Sequence, residues 1–230
     1  MIALISDVHG NLPALEAVLE DIQRYPVKEI ISLGDVVGYY PMINECIELL
    51  RAQNVSNVMG NHDYYLIHNE SCKRSKTVDQ LISFQSELIK NENLSWLSQS
   101  PLKIERENSS FVHGGWKRGF EEYLYRVDHA YFEKFDYRYF FAGHTHVQCL
   151  YQFENGQTFC NPGSVGQPRD GNPCSAWALF DNEKITLRRV PYDITPVKKS
   201  MAALGFDDKL TKHLHIGGRI NGSIDKITVT

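Results

Sequence analysis

The sequence predicts an α/β fold: a layered αββα sandwich of two mixed sheets flanked by helices. In the first third of the chain, strand-like apolar runs alternate with segments of helical periodicity. From Phe111 onward, short strand-like runs follow one another with few helical segments between them. Five apolar runs stop at a polar cluster, and parallel strands end at one edge of a sheet. We therefore expect a site at the strand C-terminal rim.

The first part of the chain contains two strand-helix cycles. Residues 2–5 form an apolar run, and an amphipathic helix follows, with Pro13 in the first turn where proline is tolerated. A second run ends at Leu33, and residues 43–50 carry the next helix face. A third strand covers residues 55–59. This alternation predicts right-handed crossovers and a largely parallel first sheet.

The rest of the chain is expected to complete one domain over residues 1–230. Residues 64–110 read as a mainly helical excursion, and residues 206–230 as a C-terminal helix and tail. Between them we predict a second sheet packed on the first, with Asp181-Asn182-Glu183 as a hairpin turn. Its predicted strands are Phe111-Val112, 139–142, 149–153, 176–180 and 185–190.

Composition limits the partners and the compartment. The chain of 230 residues carries a net charge of −4, so it lacks the global basic excess that favours nucleic acid or anionic membranes. Its five cysteines are scattered and form no Cys-x-x-Cys pair, which argues against a disulfide framework or a thiolate zinc site. The N-terminal run reads as a strand and not as a leader. We expect a cytoplasmic protein with no nucleic-acid or membrane partner.

Five polar clusters carry the chemistry of the sequence. They contain carboxylate and amide oxygens, which suit hard divalent ions, together with imidazole nitrogens, which suit borderline ones. Asp7 and His9 can point at one ion only if the strand has ended and the backbone turns, which Gly10 permits. The clusters are Asp7-Val8-His9, Gly34-Asp35, Gly60-Asn61-His62-Asp63, His113-Gly114 and Gly143-His144-Thr145-His146.

In this order the five clusters resemble the motifs of the calcineurin-like metallophosphoesterase superfamily. The segment from Asn161 to Arg169 also resembles the one that follows the last histidine motif in small bacterial members, which include phosphodiesterases and diadenosine tetraphosphatase-like enzymes. Any single motif is a weak signal, but the ordered set is specific. The resemblance implies hydrolysis of a phosphodiester or of a nucleotide phosphoanhydride or ester by metal-bound hydroxide.

The resemblance also implies a role for each matching residue. Two divalent or trivalent ions are expected, with Mn first and Fe, Zn, Ni or Co as alternatives. His62 is the expected general acid, and Asp63 is expected to orient it through its other ring nitrogen. Asn11 and Arg169 are the candidates for binding the substrate phosphate. The expected metal ligands are Asp7, His9 and His146 for one ion, Asn61, His113 and His144 for the other, and Asp35 bridging both.

Other interpretations of these residues stay open. Each polar residue could be a turn or cap by itself, although an ordered set of seven makes that improbable. A phosphomonoesterase, including a protein phosphatase, would use the same fold, and a retromer-subunit-like scaffold would keep the fold without catalysis. A DNA repair nuclease would need a basic channel. The aromatic residues from Tyr123 to Phe141 are expected in the core or on a surface that could join a homodimer.

Overall fold

The computed structural model describes all 230 residues. Its elements in chain order are β1 (Ile2–Ile5), α1 (Leu12–Ile22), β2 (Glu29–Ser32), α2 (Ile43–Ala52), β3 (Ser56–Asn57), α3 (Asn61–His68), α4 (Lys76–Leu88), α5 (Asn91–Ser98), β4 (Lys103–Arg106), β5 (Ser109–Val112), β6 (Arg126–Val127), α6 (His129–Phe132), β7 (Tyr139–Ala142), β8 (Cys149–Gln152), β9 (Thr158–Asn161), β10 (Ser175–Asp181), β11 (Lys184–Val190), α7 (Thr195–Ala203), α8 (Lys209–Lys212) and β12 (Thr228–Val229). Short 3₁₀ turns occupy Gly119–Glu121 and His213–Ile216.

The first sheet has the strand order β11-β10-β1-β2-β3. Strands β1, β2 and β3 are parallel, as the alternating pattern predicts, and β10 pairs antiparallel with β1. The expectation that all strands after Phe111 belong to the second sheet is wrong for β10 and β11. In β10, Trp177 and Leu179 pack in the core that contains α1, while Ala178 packs between the sheets. Because both faces of β10 are covered, it belongs inside the first sheet.

The second sheet has the order β4-β5-β7-β9-β8, with β5, β7 and β9 parallel and the two edge strands antiparallel. The predicted pair of mixed sheets flanked by helices is therefore confirmed. Strands β4 and β9 were not predicted from the sequence. In both sheets the parallel strands run the same way with respect to the site, because Asp7, Asp35 and His113 all follow their carboxyl ends.

Alternation along the strands divides the apolar residues between layers. Leu4 and Ile31 of the first sheet pack against Phe111 and Phe141 of the second, whose rings stack with centroids 4.8 Å apart. The next residue, Phe140, points the other way and packs with Phe132 of α6. Replacing a fully buried phenylalanine of this kind by alanine typically costs about 3–5 kcal/mol. The rigid double sheet holds the rim residues in place.

The C-terminal segment returns to the body of the protein. Strand β12 pairs in parallel with β6, with Thr228 opposite Arg126. The preceding loop places Arg219, Ile220 and Asn221 in the wall of the cavity next to the rim. None of the helices has the length and apolar character needed to cross a bilayer.

Candidate metal centre

Left-handed backbone conformations turn the expected ligands toward one point. Asp7, His9 and Asp35 have φ of 54°, 53° and 55°, and His144 and His146 have φ of 64° and 59°. Residues other than glycine rarely adopt these angles, and such strain is concentrated at functional sites. The predicted turn after β1 is present, and it uses Asp7 and His9 themselves as well as Gly10 at φ 66°.

A first cluster contains Asp7, His9 and His146. The Nε2 atoms of His9 and His146 lie 3.2 Å apart, and His146 Nε2 lies 3.3 Å from Asp7 Oδ1. Each ring donates its Nδ1 proton to a main-chain carbonyl, His9 to Val37 at 2.8 Å and His146 to Gln167 at 2.7 Å. In the neutral rings, both Nε2 atoms therefore present lone pairs to each other.

A second cluster contains Asn61, His113 and His144. His113 Nε2 lies 2.9 Å from His144 Nδ1 and 3.1 Å from Asn61 Oδ1. The other ring nitrogen of His113 donates to the Leu33 carbonyl at 2.8 Å, which fixes the ring. All these side chains are buried. Their donor atoms are of the kinds that divalent transition metals accept.

Asp35 lies between the two clusters. Its Oδ2 is 3.8 Å from His9 Nε2 and 3.3 Å from His113 Nε2, while its Oδ1 accepts the His62 amide proton at 2.8 Å. Burial alone would raise the pKa of Asp35, but the surrounding histidines hold it below its ordinary value. Gly60 is needed here, because a Cβ at that position would lie 2.1 Å from Asp35 Oδ1.

The donor set fits a pair of cations. Asp7 Oδ1 and Asp35 Oδ2 are buried and have no hydrogen-bond partner. A buried carboxylate oxygen that faces only ring nitrogens is unfavourable unless a cation or a proton compensates it. Burial lowers the pKa of His9, His144 and His146, so these rings are neutral, as ligands must be. Burial opposes a charge on His113, but the neighbouring Asp35 raises the pKa of this ring to about 9. A proton on His113 therefore compensates the Asp35 carboxylate when no cation is bound.

His62 lies at the edge of this group, with its Nε2 3.8 Å from Asp35 Oδ2. Its ring packs near those of His9 and Tyr39, at centroid distances of 4.9 and 5.2 Å. Its Nδ1 is buried without a partner, and burial lowers the pKa of the ring. Gly38 leaves room for this ring, because a Cβ there would lie 2.2 Å from His62 Nδ1.

The expectation that Asp63 orients His62 is wrong. The Asp63 carboxylate instead accepts four main-chain amide protons, from Asp35 and Val36 at 2.9 Å and from Val37 and Gly60 at 3.1 Å. Successive helical residues point about 100° apart, so Asp63 leaves α3 on a different side from His62. Asp63 therefore holds the loop that carries Asp35.

The two expected phosphate-binding residues differ in their contacts. Asn11 does not face the clusters with a free polar atom: its amide donates to Gly166 O and Tyr192 Oη, and its Oδ1 caps α1 through the Ala14 amide. These contacts correct the expected role of Asn11 to that of a helix cap. Arg169 is buried, but it lines the same cavity as His62 and has no carboxylate partner.

Several residues of the site were not predicted. Tyr123 stacks on His144 with ring centroids 3.7 Å apart, although its run of aromatics read as core or dimer surface. Asn161 donates to Gly143 O and Thr145 Oγ1, which fixes the loop of the last histidine motif. Nothing in the sequence except its position after Gly38 indicates that Tyr39 belongs to the site. Its ring nevertheless lies 4.7 Å from that of His9, measured between centroids.

The buried oxygen and nitrogen donors at the rim of the two packed sheets form a candidate site for metal ions. The sequence profile described as the calcineurin-like phosphoesterase superfamily domain matches residues 1–184. The chain belongs to this superfamily of phosphoesterases, and the superfamily supports a hydrolase of phosphoric esters.

Two similar proteins match nearly the whole chain, and a third matches about half of it. An uncharacterized protein of Methanocaldococcus jannaschii is 36% identical over 94% of this chain and 98% of its own length. The crystal structure of a metallophosphoesterase from Sphaerobacter thermophilus is 34% identical, with a TM-score of 0.81 over 94% of this chain and 99% of that one. The symmetrical bis(5'-nucleosyl)-tetraphosphatase of Actinobacillus succinogenes is 29% identical, but the match spans 58% of this chain and 52% of that enzyme.

Proposed function

We propose that this protein is a dinuclear metal-dependent phosphoesterase that hydrolyses phosphodiesters or nucleotide phosphoanhydrides and esters. The observation that carries the proposal is the position of Asp35 Oδ2, which is buried without a hydrogen-bond partner between the two clusters of donors. Asp7, His9 and His146 would hold one ion, and Asn61, His113 and His144 the other. Mn²⁺ is the first choice of ion.

The residues around the clusters have distinct parts in this proposal. When bound, the ions supply Lewis-acid activation of water and neutralise charge on the phosphate. His62 protonates the departing oxygen from its Nε2, which lies 3.8 Å from Asp35 Oδ2; because burial lowers the pKa of the free ring, the negative charge of the bound phosphate must keep the proton on it. Such general acid catalysis typically contributes a factor of about 10² to 10⁴. Arg169 binds a phosphate oxygen through its charged guanidinium.

Two observations favour this function over the alternatives. A scaffold that had lost catalysis would have no use for a buried histidine kept next to the ligands without a structural partner on Nδ1. The net charge of −4 does not favour a DNA repair nuclease. The named tetraphosphatase relatives support a nucleotide substrate. We also propose a cytoplasmic location, which the five free cysteines support.

The test compares two histidines of the same helix. The purified protein with Mn²⁺ should hydrolyse bis-p-nitrophenyl phosphate, and His62→Ala should lower kcat by about 10² to 10⁴ while bound metal is retained. His68→Ala is the matched control, because His68 is exposed at the end of α3 and should leave kcat unchanged. A His62→Ala enzyme with full kcat would exclude the acid role. Absence of hydrolysis with diester, monoester and dinucleotide substrates alike would exclude the proposed function.

A further inference from the structure

Three arginines line the cavity beside the metal centre. The cavity has a volume of about 450 Å³, and Asn61 and His62 line it at the metal centre. Its 16 lining residues include Arg74, Arg169 and Arg219, and they include no aspartate or glutamate. Since the reacting phosphate needs only the metal centre and one nearby cation, the other two arginines are unexplained by the proposed reaction.

Arg169 is the arginine nearest to the ligand clusters. Its Nη2 donates to Tyr39 Oη at 2.9 Å, and the Tyr39 ring lies 4.7 Å from the His9 ring. Its Nε donates to Gln167 Oε1 at 3.0 Å. Both partners are neutral, so the buried guanidinium keeps an uncompensated charge for an anion at the clusters.

Arg219 comes from the C-terminal segment, beyond residues 1–184 that the family profile matches. Its Nε donates to both carboxylate oxygens of Asp225 at 2.8 Å, and its Nη2 donates to Tyr125 Oη at 2.7 Å. The Tyr125 ring is stacked 5.5 Å from Tyr123, which in turn stacks on His144. Arg219 therefore contacts Tyr125, whereas Arg169 contacts Tyr39 beside His9, so the two arginines belong to different parts of the cavity wall.

Arg74 lies next to the Tyr123 ring. Its guanidinium is 4.9 Å from the centre of the Tyr123 ring, and its Nη2 pairs with Glu121 at 2.9 Å. Neither Glu121 nor Asp225 lies in the cavity wall. The two carboxylates fix the guanidinium groups in position, and the remaining N–H groups are available to the cavity.

We infer that Arg74 and Arg219 form a second anion subsite and that the substrate is a phosphoanhydride, with at least one phosphate group beyond the one that reacts. This inference rests on the proposed function, because it names the substrate class of the same site. A substrate with a single phosphate would engage only the metal centre and Arg169. A chain of phosphates continues past Tyr123 and reaches Arg74 and Arg219.

The experiment measures binding and not turnover. The full-length chain, freed of metal with a chelator, is titrated calorimetrically with inorganic tripolyphosphate and with orthophosphate. The wild type should prefer tripolyphosphate, and Arg219→Met and Arg74→Met should each reduce that preference about tenfold or more, as expected for a charge-assisted hydrogen bond. ATP is titrated in parallel. Tighter binding of ATP than of tripolyphosphate indicates a nucleotide substrate, and tighter binding of tripolyphosphate indicates an inorganic polyphosphate.

Two control variants distinguish phosphate recognition by the arginines from the packing of the C-terminal segment, residues 206–230, against the rest of the protein. Arg106→Met removes an arginine that is paired with Glu29 away from the cavity, and it should leave the preference unchanged. Asp225→Asn removes the negative charge beside Arg219 but keeps an oxygen that accepts the Arg219 Nε proton, so the guanidinium stays in position and the preference should be kept or increased. A wild type without preference, an unchanged preference in Arg219→Met, or an equal loss in Asp225→Asn would each overturn the inference. Retained preference without any hydrolysis would contradict the proposed function alone.

Discussion

Replacing Asp63 by asparagine tests how the loop that carries Asp35 is held. The Asp63 carboxylate uses Oδ1 for the amides of Val36 and Val37 and Oδ2 for those of Asp35 and Gly60. Whichever way the asparagine amide is oriented, one oxygen becomes an NH₂ group that faces two N–H donors. Burial raises the pKa of Asp63 to about 7, so above about pH 8 the variant loses two hydrogen bonds to a charged acceptor.

The magnitude follows from those two bonds. A hydrogen bond to a charged group contributes about 1.5–3 kcal/mol, so Asp63→Asn should lower the free energy of unfolding by about 3–6 kcal/mol. Small domains are stable by only about 5–15 kcal/mol, so this is a large fraction of the total. The assay is equilibrium unfolding in urea, with metal removed by a chelator so that ion binding does not contribute.

The control is Asp128→Asn at the start of α6. Asp128 accepts the Tyr131 amide proton at 2.8 Å as a helix cap, a role in which asparagine is equally effective. We expect this variant to differ from the wild type by less than about 0.5 kcal/mol. An Asp63→Asn protein as stable as Asp128→Asn would refute the assignment of Asp63 to the loop amides.

Two other residues give separate predictions. Arg169→Met should raise KM for bis-p-nitrophenyl phosphate about tenfold or more, because it removes a charged donor from the phosphate, and steady-state kinetics measure it; an unchanged KM would contradict phosphate binding. His213 is buried with its Nε2 3.1 Å from Tyr40 Oη, and burial lowers its pKa to about 4. As the pH falls, His213 binds a proton in the unfolded chain before it does so in the folded protein. Its contribution to the free energy of unfolding is therefore complete above about pH 6.5 and declines by about 3 kcal/mol toward pH 4. His213→Gln should remove that part of the pH dependence in urea unfolding, and an identical slope in both proteins would argue against it.

Sequence patterns predicted much of the fold and the rim of the site. Parallel strands place their carboxyl ends together, so polar residues that end apolar runs are brought to one edge even when more than 100 positions separate them, as with Asp7 and His144. The hydrophobic periodicity and the turn residues also predicted α1, α2 and the hairpin between β10 and β11. These features depend on local pattern alone.

Other features depend on tertiary contacts that no local pattern records. Asp63 is adjacent to His62 in the chain, but helical geometry separates the two side chains and brings Asp63 to the amides of another loop. The pairing of β10 with β1 joins residues about 175 positions apart, and either sheet would satisfy its apolar pattern. Arg219 reaches the cavity wall from the C-terminal segment, which pairs β12 with β6, and Tyr123 precedes β6 in the chain.

The most direct test of the account is anomalous scattering from crystals soaked in Mn²⁺. We expect two peaks about 3.5–4 Å apart, the usual separation in two-metal sites, with Asp35 in contact with both. One peak should lie among Asp7, His9 and His146, and the other among Asn61, His113 and His144. A single peak, or two peaks that do not share Asp35, would contradict the dinuclear centre.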